Sequence, residues 1–169
     1  MSDDLTSPRL ALPLLAPGQA QKEATHNEAL ARVDLLVQPA VIAVGLATPP
    51  AAPAAGETWV VGTQPGGAWA GHAGALAGWT AGGWRFQESR EGMTAWSIAD
   101  RRTARVVDGR WTLGEVRATR VLVDGVAVVG ARAAAIAAPA GGATIDAAAR
   151  TTIEAILIAL RGHGLIAGN

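Results

Sequence analysis

The chain of 169 residues has no cysteine, no tyrosine and a single phenylalanine, Phe86. Without cysteine it can form neither a disulfide framework nor a thiolate metal site, and it has no thiol nucleophile. Its 14 Lys and Arg residues balance its 14 Asp and Glu residues. This balance argues against nucleic acid as a partner, because nucleic-acid binding needs a clustered basic face, and it is compatible with assembly into something larger.

Two further features are missing near the N-terminus and along the chain. The first residues include Ser2-Asp3-Asp4 and lack the basic start and apolar run of a secretory signal. The longest apolar stretches are interrupted by Pro, Gly or Arg well before they reach the length of a membrane span. We therefore expect a chain that carries no secretory signal and has no membrane as a partner.

Tryptophan is the abundant aromatic residue, and all six copies lie among glycines, alanines and turn dipeptides. They are Trp59, Trp69, Trp79, Trp84, Trp96 and Trp111. Because Trp combines a large apolar surface with one hydrogen-bond donor, it suits both small β cores and contact surfaces. Most of these residues are expected in the core, while Trp69, Trp79 and Trp84 are candidates for stacking on a sugar ring.

The N-terminal segment predicts an arm followed by a helix. Four prolines or glycines in residues 1–18 indicate an extended arm, and its leucines could add to a sheet edge or enter a neighbour's groove. The candidate docking residues are Leu10, Leu12, Leu14 and Leu15. Residues 19–37 lack Gly and Pro, carry apolar residues at helical spacing and precede Pro39, so they predict a helix.

The central segment predicts β structure. Residues 48–56 contain three prolines and read as a stiff linker. Short, turn-bounded segments rich in β-formers follow and predict one small antiparallel unit over residues 57–113. Their ranges are 58–61, 76–79, 84–87, 93–98, 105–107 and 111–113. Gly82-Gly83 and Asp108-Gly109 occupy hairpin positions, and Asp124-Gly125 predicts a further hairpin over 121–129.

The C-terminal segment predicts an oligomerising helix. Asp146 is a plausible N-cap, and the helix runs to about Arg161. The predicted seam comprises Ala149, Ile153, Ile156 and Leu160, widened by Leu157 and Ile158. Isoleucine at both seam positions favours three or more strands, and barely two heptads are too short to be stable alone. We therefore expect a homo-oligomer, with a trimer favoured.

These elements together predict an α+β fold in four segments. The segments are an N-terminal arm and helix (1–47), a Pro-rich linker (48–56), a Trp-rich β domain with a hairpin (57–130), and a linker with the C-terminal helix (131–169).

The sequence offers few groups for chemistry. His26, Asn27 and Glu28 form the densest polar cluster of the first helix, and a helix-to-arm hydrogen-bond network is favoured there over a metal or acid–base site. The three histidines are far apart, no phosphate-binding loop follows a strand, and no serine has a nucleophile-elbow context. A less favoured alternative is a glycosidase, in which two carboxylates such as Glu88, Glu91 or Asp100 would form the catalytic pair. We expect no enzyme, cofactor or metal.

Several stretches carry a family resemblance. They are residues 10–23, 25–30 with Asp34, 56–61, 67–72, 83–84, 128–132, 137–142 and 163–166. These resemble an uncharacterised domain family that recurs in tailed-phage proteins and gene transfer agents of alphaproteobacteria, in fibre-like or spike-like virion proteins. The resemblance implies a virion location after assembly in the bacterial cytoplasm. It brings no catalytic residues.

Two functions are therefore expected as alternatives. The first is a structural virion component, the base or connector of a head spike or tail fibre that attaches an adhesin and supports host attachment. Its partners would be copies of itself, capsid or tail proteins, and a separate spike or fibre tip protein, since little chain follows the last helix. The second is a carbohydrate-binding module that itself recognises host surface polysaccharide.

Overall fold

The computed structural model describes residues 5–18, 22–142 and 146–168 and confirms the α+β class. It divides the chain into two compact units, Met1–Glu115 and Val116–Asn169, which are described separately below. The four segments predicted from the sequence divide the same chain after residues 47, 56 and 130. The elements of the first unit are α1 (Lys22–Leu36), β1 (Ala40–Val41), β2 (Val44–Leu46), β3 (Thr58–Val61), β4 (Leu76–Thr80), β5 (Gly83–Gln87), β6 (Thr94–Ser97), β7 (Arg102–Val107) and β8 (Arg110–Leu113).

The strands of the first unit form two four-stranded sheets, with orders β1-β6-β7-β8 and β2-β3-β4-β5. Most neighbours are antiparallel, but β1 pairs parallel with β6 and β2 pairs parallel with β3. Within residues 57–113 every pairing is antiparallel, as predicted, and the strands there are divided between the two sheets. The segment 40–46 supplies an edge strand to each sheet, which its short length and distant partners concealed.

The first core lies between the two sheets. Val41 and Ala95 from one sheet and Val60 and Leu76 from the other are buried together, with Trp111 packed against them. Burying such apolar surface is the main favourable term in folding. The two sheets therefore share one core.

Helix α1 covers another part of the second sheet. Leu35 is buried at the helix end, and a Cβ atom added at Gly78 of β4 would overlap the Leu35 side chain. Glycine thus permits the close approach of helix and sheet at this position. The helix was predicted over 19–37 and is observed over Lys22–Leu36, with residues 19–21 outside the described part of the chain.

The predicted linker 48–56 connects β2 to β3 within the first unit. The Gly56 amide donates to the Trp79 carbonyl at 2.9 Å, and the Ala54 amide donates to the Glu57 carboxylate at 2.8 Å. The first hydrogen bond holds the end of the segment against β4, and the second closes a local turn before β3, so the segment ends in an ordered connection.

The second unit contains β9 (Val121–Val123), β10 (Val126–Val129) and α2 (Ala147–Gly162). Asp146 caps α2 as predicted, because its Oδ1 accepts from the Ala149 amide at 2.9 Å. After α2 the chain pairs with the segment that precedes this helix, through a parallel bridge between Ala133 and Ile166. Leu157 and Ile166 are the large apolar residues buried among those described in this unit.

Candidate functional site

Four tryptophans form one aromatic cluster on the face of β3-β4-β5 opposite the inter-sheet core. The ring centroids of Trp59 and Trp69 lie 6.1 Å apart, those of Trp69 and Trp84 5.2 Å, and those of Trp79 and Trp84 5.0 Å. Phe86 packs against the same cluster. Tilted and edge-on rings at these separations are the favoured aromatic geometry. This cluster is a second core.

Burial in the cluster changes the interpretation of the three glycan-contact candidates. Trp69 is fully buried, so its ring has no face to offer a sugar, and its candidacy is corrected to a core role. Trp79 and Trp84 are half-buried and use their rings on each other. The short strands hold few other large apolar residues, so the indoles supply the volume of this core.

Trp96 is the tryptophan that the structure leaves exposed. All six tryptophans are described, and Trp96 alone falls in the exposed class, at 48%. It lines an open groove of about 490 Å³ together with Leu36, Pro39, Met93 and Thr103. Trp96 was not among the tryptophans predicted to stack on a sugar ring. The alternating pattern Thr94-Ala95-Trp96-Ser97 was the available signal, because alternate strand residues face opposite sides.

The outer face of the sheet β1-β6-β7-β8 extends this groove. Trp96 lies opposite Thr103, while Thr94 lies opposite Arg105, which in turn lies opposite Thr112. Directly opposed side chains in antiparallel strands start about 5 Å apart, and diagonal neighbours about 7 Å apart. An indole, several hydroxyls and a guanidinium are thus arranged on one surface.

The predicted polar cluster of α1 points to three different partners. The Asn27 side chain accepts from the Leu15 amide at 2.9 Å and donates to the Leu15 carbonyl at 3.0 Å. Glu28 accepts from Arg85 of β5 at 2.7 Å, and His26 Nδ1 lies 2.9 Å from the Lys22 carbonyl oxygen. Asn27 and Glu28 therefore tie the helix to the arm and to the sheet.

The electrostatics of this cluster are those of a structural ion pair. Burial alone would raise the pKa of the Glu28 carboxyl, but hydrogen bonds and charges from Arg85 and Arg32 outweigh it and lower the pKa below its ordinary value. Glu28 is therefore held in its charged form.

The arm folds back on itself instead of extending. Thr6 and Pro13 form an antiparallel bridge, and the Ser7 amide donates to the Leu12 carbonyl at 2.9 Å. The prediction of an extended arm was wrong for this reason. Among the docking candidates, Leu10 is exposed, while Leu12, Leu14 and Leu15 are half-buried.

One buried carboxylate anchors the arm to α1. Asp34 accepts from the Ser7 hydroxyl and the Leu10 amide, both at 2.7 Å, and from the Arg9 amide at 3.1 Å. The Arg9 guanidinium donates to the carbonyl oxygens of Asp34 and Gln38 at the end of the helix. Backbone amides thus satisfy a carboxylate that is 2% exposed, which burial would otherwise penalise.

The predicted seam of α2 is divided between two environments. Leu157 is buried and Leu160 is half-buried, whereas Ala149, Ile153 and Ile156 are exposed. Ile153 and Ile156 retain 44% and 53% of their exposure. Leu157 and Leu160 therefore pack within the second unit, whereas Ile153 and Ile156 remain uncovered.

The hairpin β9–β10 exposes apolar side chains on both faces. Six large residues are between 43% and 66% exposed: Val121, Leu122, Val123, Val126, Val128 and Val129. A two-stranded hairpin is marginally stable by itself in water. Together with the exposed isoleucines of α2, it gives the second unit an uncovered apolar surface.

The carboxylates considered as a glycosidase pair have local partners. Glu88 lies 3.9 Å from His72, Glu91 accepts from the Gly109 amide at 3.4 Å, and Asp100 accepts from the Ser97 hydroxyl at 2.6 Å. In the ranges that the structure describes, no three His, Asp or Glu side chains are grouped to hold a metal ion. No helix in those ranges has the length and hydropathy to cross a bilayer.

No curated protein matches the chain. A family model described as "Protein of unknown function (DUF2793)" matches residues 26–112, which is just over half of the 169 residues and runs from α1 into β8. The match includes Trp96, the aromatic cluster and both sheets. The chain belongs to the DUF2793 family.

Proposed function

We propose that this chain is a structural component of a phage or gene-transfer-agent particle, where it forms the base or connector of a head spike or tail fibre. In this role it attaches an adhesin and supports host attachment. The uncovered apolar surface of the second unit carries the proposal, because such a surface marks a contact with another protein. The choice of particle comes from the sequence resemblance described above.

Copies of the same chain are the expected cover for this surface. A heptad seam with isoleucine at both of its positions, as at Ile153 and Ile156, favours three strands. A helix of 16 residues is short for independent stability, so association and helix formation support each other. A trimer is the form that these features favour.

The arm is the proposed contact with capsid or tail proteins. Its fold on α1 holds it in place, while Leu5 and Leu10 remain 41% and 39% exposed. A preorganised loop binds a partner with less loss of conformational entropy than a flexible tail does. The second unit is then available to connect to the tip protein.

The assembly proposal is tested by measuring the mass of the full chain in solution with mass photometry or light scattering. We expect a trimer that dissociates when Ile153→Asn and Ile156→Asn are combined. Ile158→Asn is the matched control. The sequence pattern added Ile158 to the edge of the seam, but at 3.6 residues per turn it lies about half a turn from Ile153 and Ile156 on the same helix, and it is 63% exposed. A monomeric wild-type chain at micromolar concentration would overturn the proposal.

The particle proposal is tested separately. Purified particles from a producing strain should contain the chain by mass spectrometry, and particles lacking it should lose a density in electron microscopy. That density would also decide between the head and the tail. Absence of the chain from purified particles would refute the virion role without affecting self-association.

A further inference from the structure

The geometry points to a binding site for an acidic saccharide on the outer face of the sheet β1-β6-β7-β8, with Trp96 as the stacking platform. This inference develops the carbohydrate-binding function considered from the sequence, but it moves the site to a different tryptophan. It goes beyond the structural role proposed above and does not depend on self-association. The site lies entirely within the first unit.

The groove beside Trp96 has the form of a ligand site. Small-molecule sites are concave, mostly apolar, and contain a few placed polar groups. Leu36, Pro39 and Met93 supply apolar lining, while Gln38 and Thr103 supply amide and hydroxyl groups. An indole that is 48% exposed has a ring surface that the fold does not use, unlike the rings of the aromatic cluster.

Hydroxyl groups suited to sugar recognition continue across the sheet. Thr94, Thr103 and Thr112 occupy outward positions on three adjacent strands. Each hydroxyl can donate one hydrogen bond and accept two, which matches the mixed donors and acceptors of a saccharide. The Thr112 hydroxyl already donates to the Arg105 carbonyl at 3.2 Å and retains its acceptor capacity.

The charge of the same face indicates an acidic ligand. Arg105 and Arg110 occupy outward positions on β7 and β8, and the outward positions of all four strands hold no Asp or Glu. A guanidinium recognises a carboxylate through two parallel hydrogen bonds. Arg105 lies diagonally across from Trp96, so one sugar ring can stack on the indole while its carboxylate reaches the guanidinium.

The test uses the full chain on a printed array of acidic glycans, each with its neutral counterpart; oligogalacturonides and their methyl esters are one such pair. We expect at least one acidic glycan to bind more tightly than its neutral counterpart, with affinity that falls as salt rises. Trp96→Ala should weaken that binding by about tenfold or more, and Trp96→Phe should restore part of it.

Two charge variants separate the role of Arg105 from a general charge effect. Arg105→Gln should weaken binding of the acidic glycan by about tenfold and leave any binding of the neutral counterpart unchanged. Arg120→Gln is the matched control, because it removes the same charge from the second unit. Circular dichroism melts check that each variant remains folded.

The following outcomes would count against a saccharide site at Trp96. Absence of binding to every acidic glycan, or equal binding to acidic and neutral partners, would overturn the proposal. Binding that survives Trp96→Ala would place the ligand elsewhere. Loss of self-association on Trp96→Ala would identify the groove as an interface between copies. Light scattering on the same variants keeps this result distinct from failure of the assembly proposal.

Discussion

The hairpins β7–β8 and β9–β10 have the same kind of Asp-Gly turn but differ in the structure that packs against them. Asp108-Gly109 joins the first pair with φ angles of 52° and 71°, and Asp124-Gly125 joins the second with 50° and 81°. In β7, Ala104 and Val106 are buried under the other sheet, whereas the apolar residues of β9 and β10 are exposed on both faces.

This difference separates two requirements for a stable hairpin. The turn residues determine that the strands pair, because Asp and Gly accept the positive φ angles of a two-residue hairpin loop. A second layer determines whether the pair contributes a core. The first unit contains its own second layer, and we propose that the second unit obtains one from other copies.

The largest expected effect lies in the aromatic core of the first unit. Trp69→Ala should lower the free energy of unfolding of that unit by about 3–5 kcal/mol, because it leaves a cavity at a fully buried position. Denaturant unfolding followed by circular dichroism measures this. Trp96→Ala is the control and should lower it by less than about 1 kcal/mol. Equal losses would contradict the assignment of Trp69 to the core.

The next largest effect is expected at Asp34, which anchors the arm to α1. Asp34→Ala removes the acceptor of the Ser7 hydroxyl and the Leu10 amide, which should lower the free energy of unfolding by about 1.5–3 kcal/mol. Hydrogen exchange should show earlier loss of protection at Leu10 than in β4. Unchanged protection at Leu10 would show that other contacts hold the arm.

One substitution applied to both hairpins tests the comparison directly. Val106→Thr places a hydroxyl in the inter-sheet core and should lower the free energy of unfolding by about 1–3 kcal/mol. Val123→Thr lies at an exposed position of β9 and should leave this free energy unchanged while weakening self-association. Thermal melts and light scattering give the two readouts. A hairpin that is unimportant for assembly would show no loss of association in Val123→Thr.

The smallest effect concerns the ion pair between Glu28 and Arg85. The pKa of Glu28 is lowered in the folded chain, so its stabilisation is present above the ordinary carboxyl pKa and is lost as the pH falls through the folded value. Glu28→Gln should therefore cost at most about 1 kcal/mol near neutral pH, since both side chains are partly exposed. The difference from wild type should vanish in acid. A difference that persists there would assign the loss to packing.

Local signals in the sequence predicted much of the fold. The hairpins at Asp108-Gly109 and Asp124-Gly125, the N-cap Asp146 and the first helix depend on neighbouring residues and are found near the predicted positions. The parallel pairing of β1 and β2 depends on residues far along the chain. Periodicity in two or three residues cannot indicate such partners.

The surfaces proposed for binding were harder to predict for a related reason. Composition indicated that most tryptophans are core residues, but it could not distinguish the exposed Trp96 from the fully buried Trp69. The leucines of the arm suggested docking, whereas the contact that positions the arm is made by Asp34, a polar residue 24 positions from Leu10. Helical spacing placed Ile153 and Ile156 on one face, and both are exposed in the structure.

The segment 40–46 has a consequence for synthesis of the chain. Val41 of β1 pairs with Ser97 of β6, which is synthesised more than fifty residues later. The first sheet therefore cannot form completely until β6 has left the ribosome. Parallel pairings of such long range form slowly, and the waiting strands expose apolar edges. We expect nascent chains that end before β6 to aggregate or recruit chaperones, and the first unit to fold in one late step.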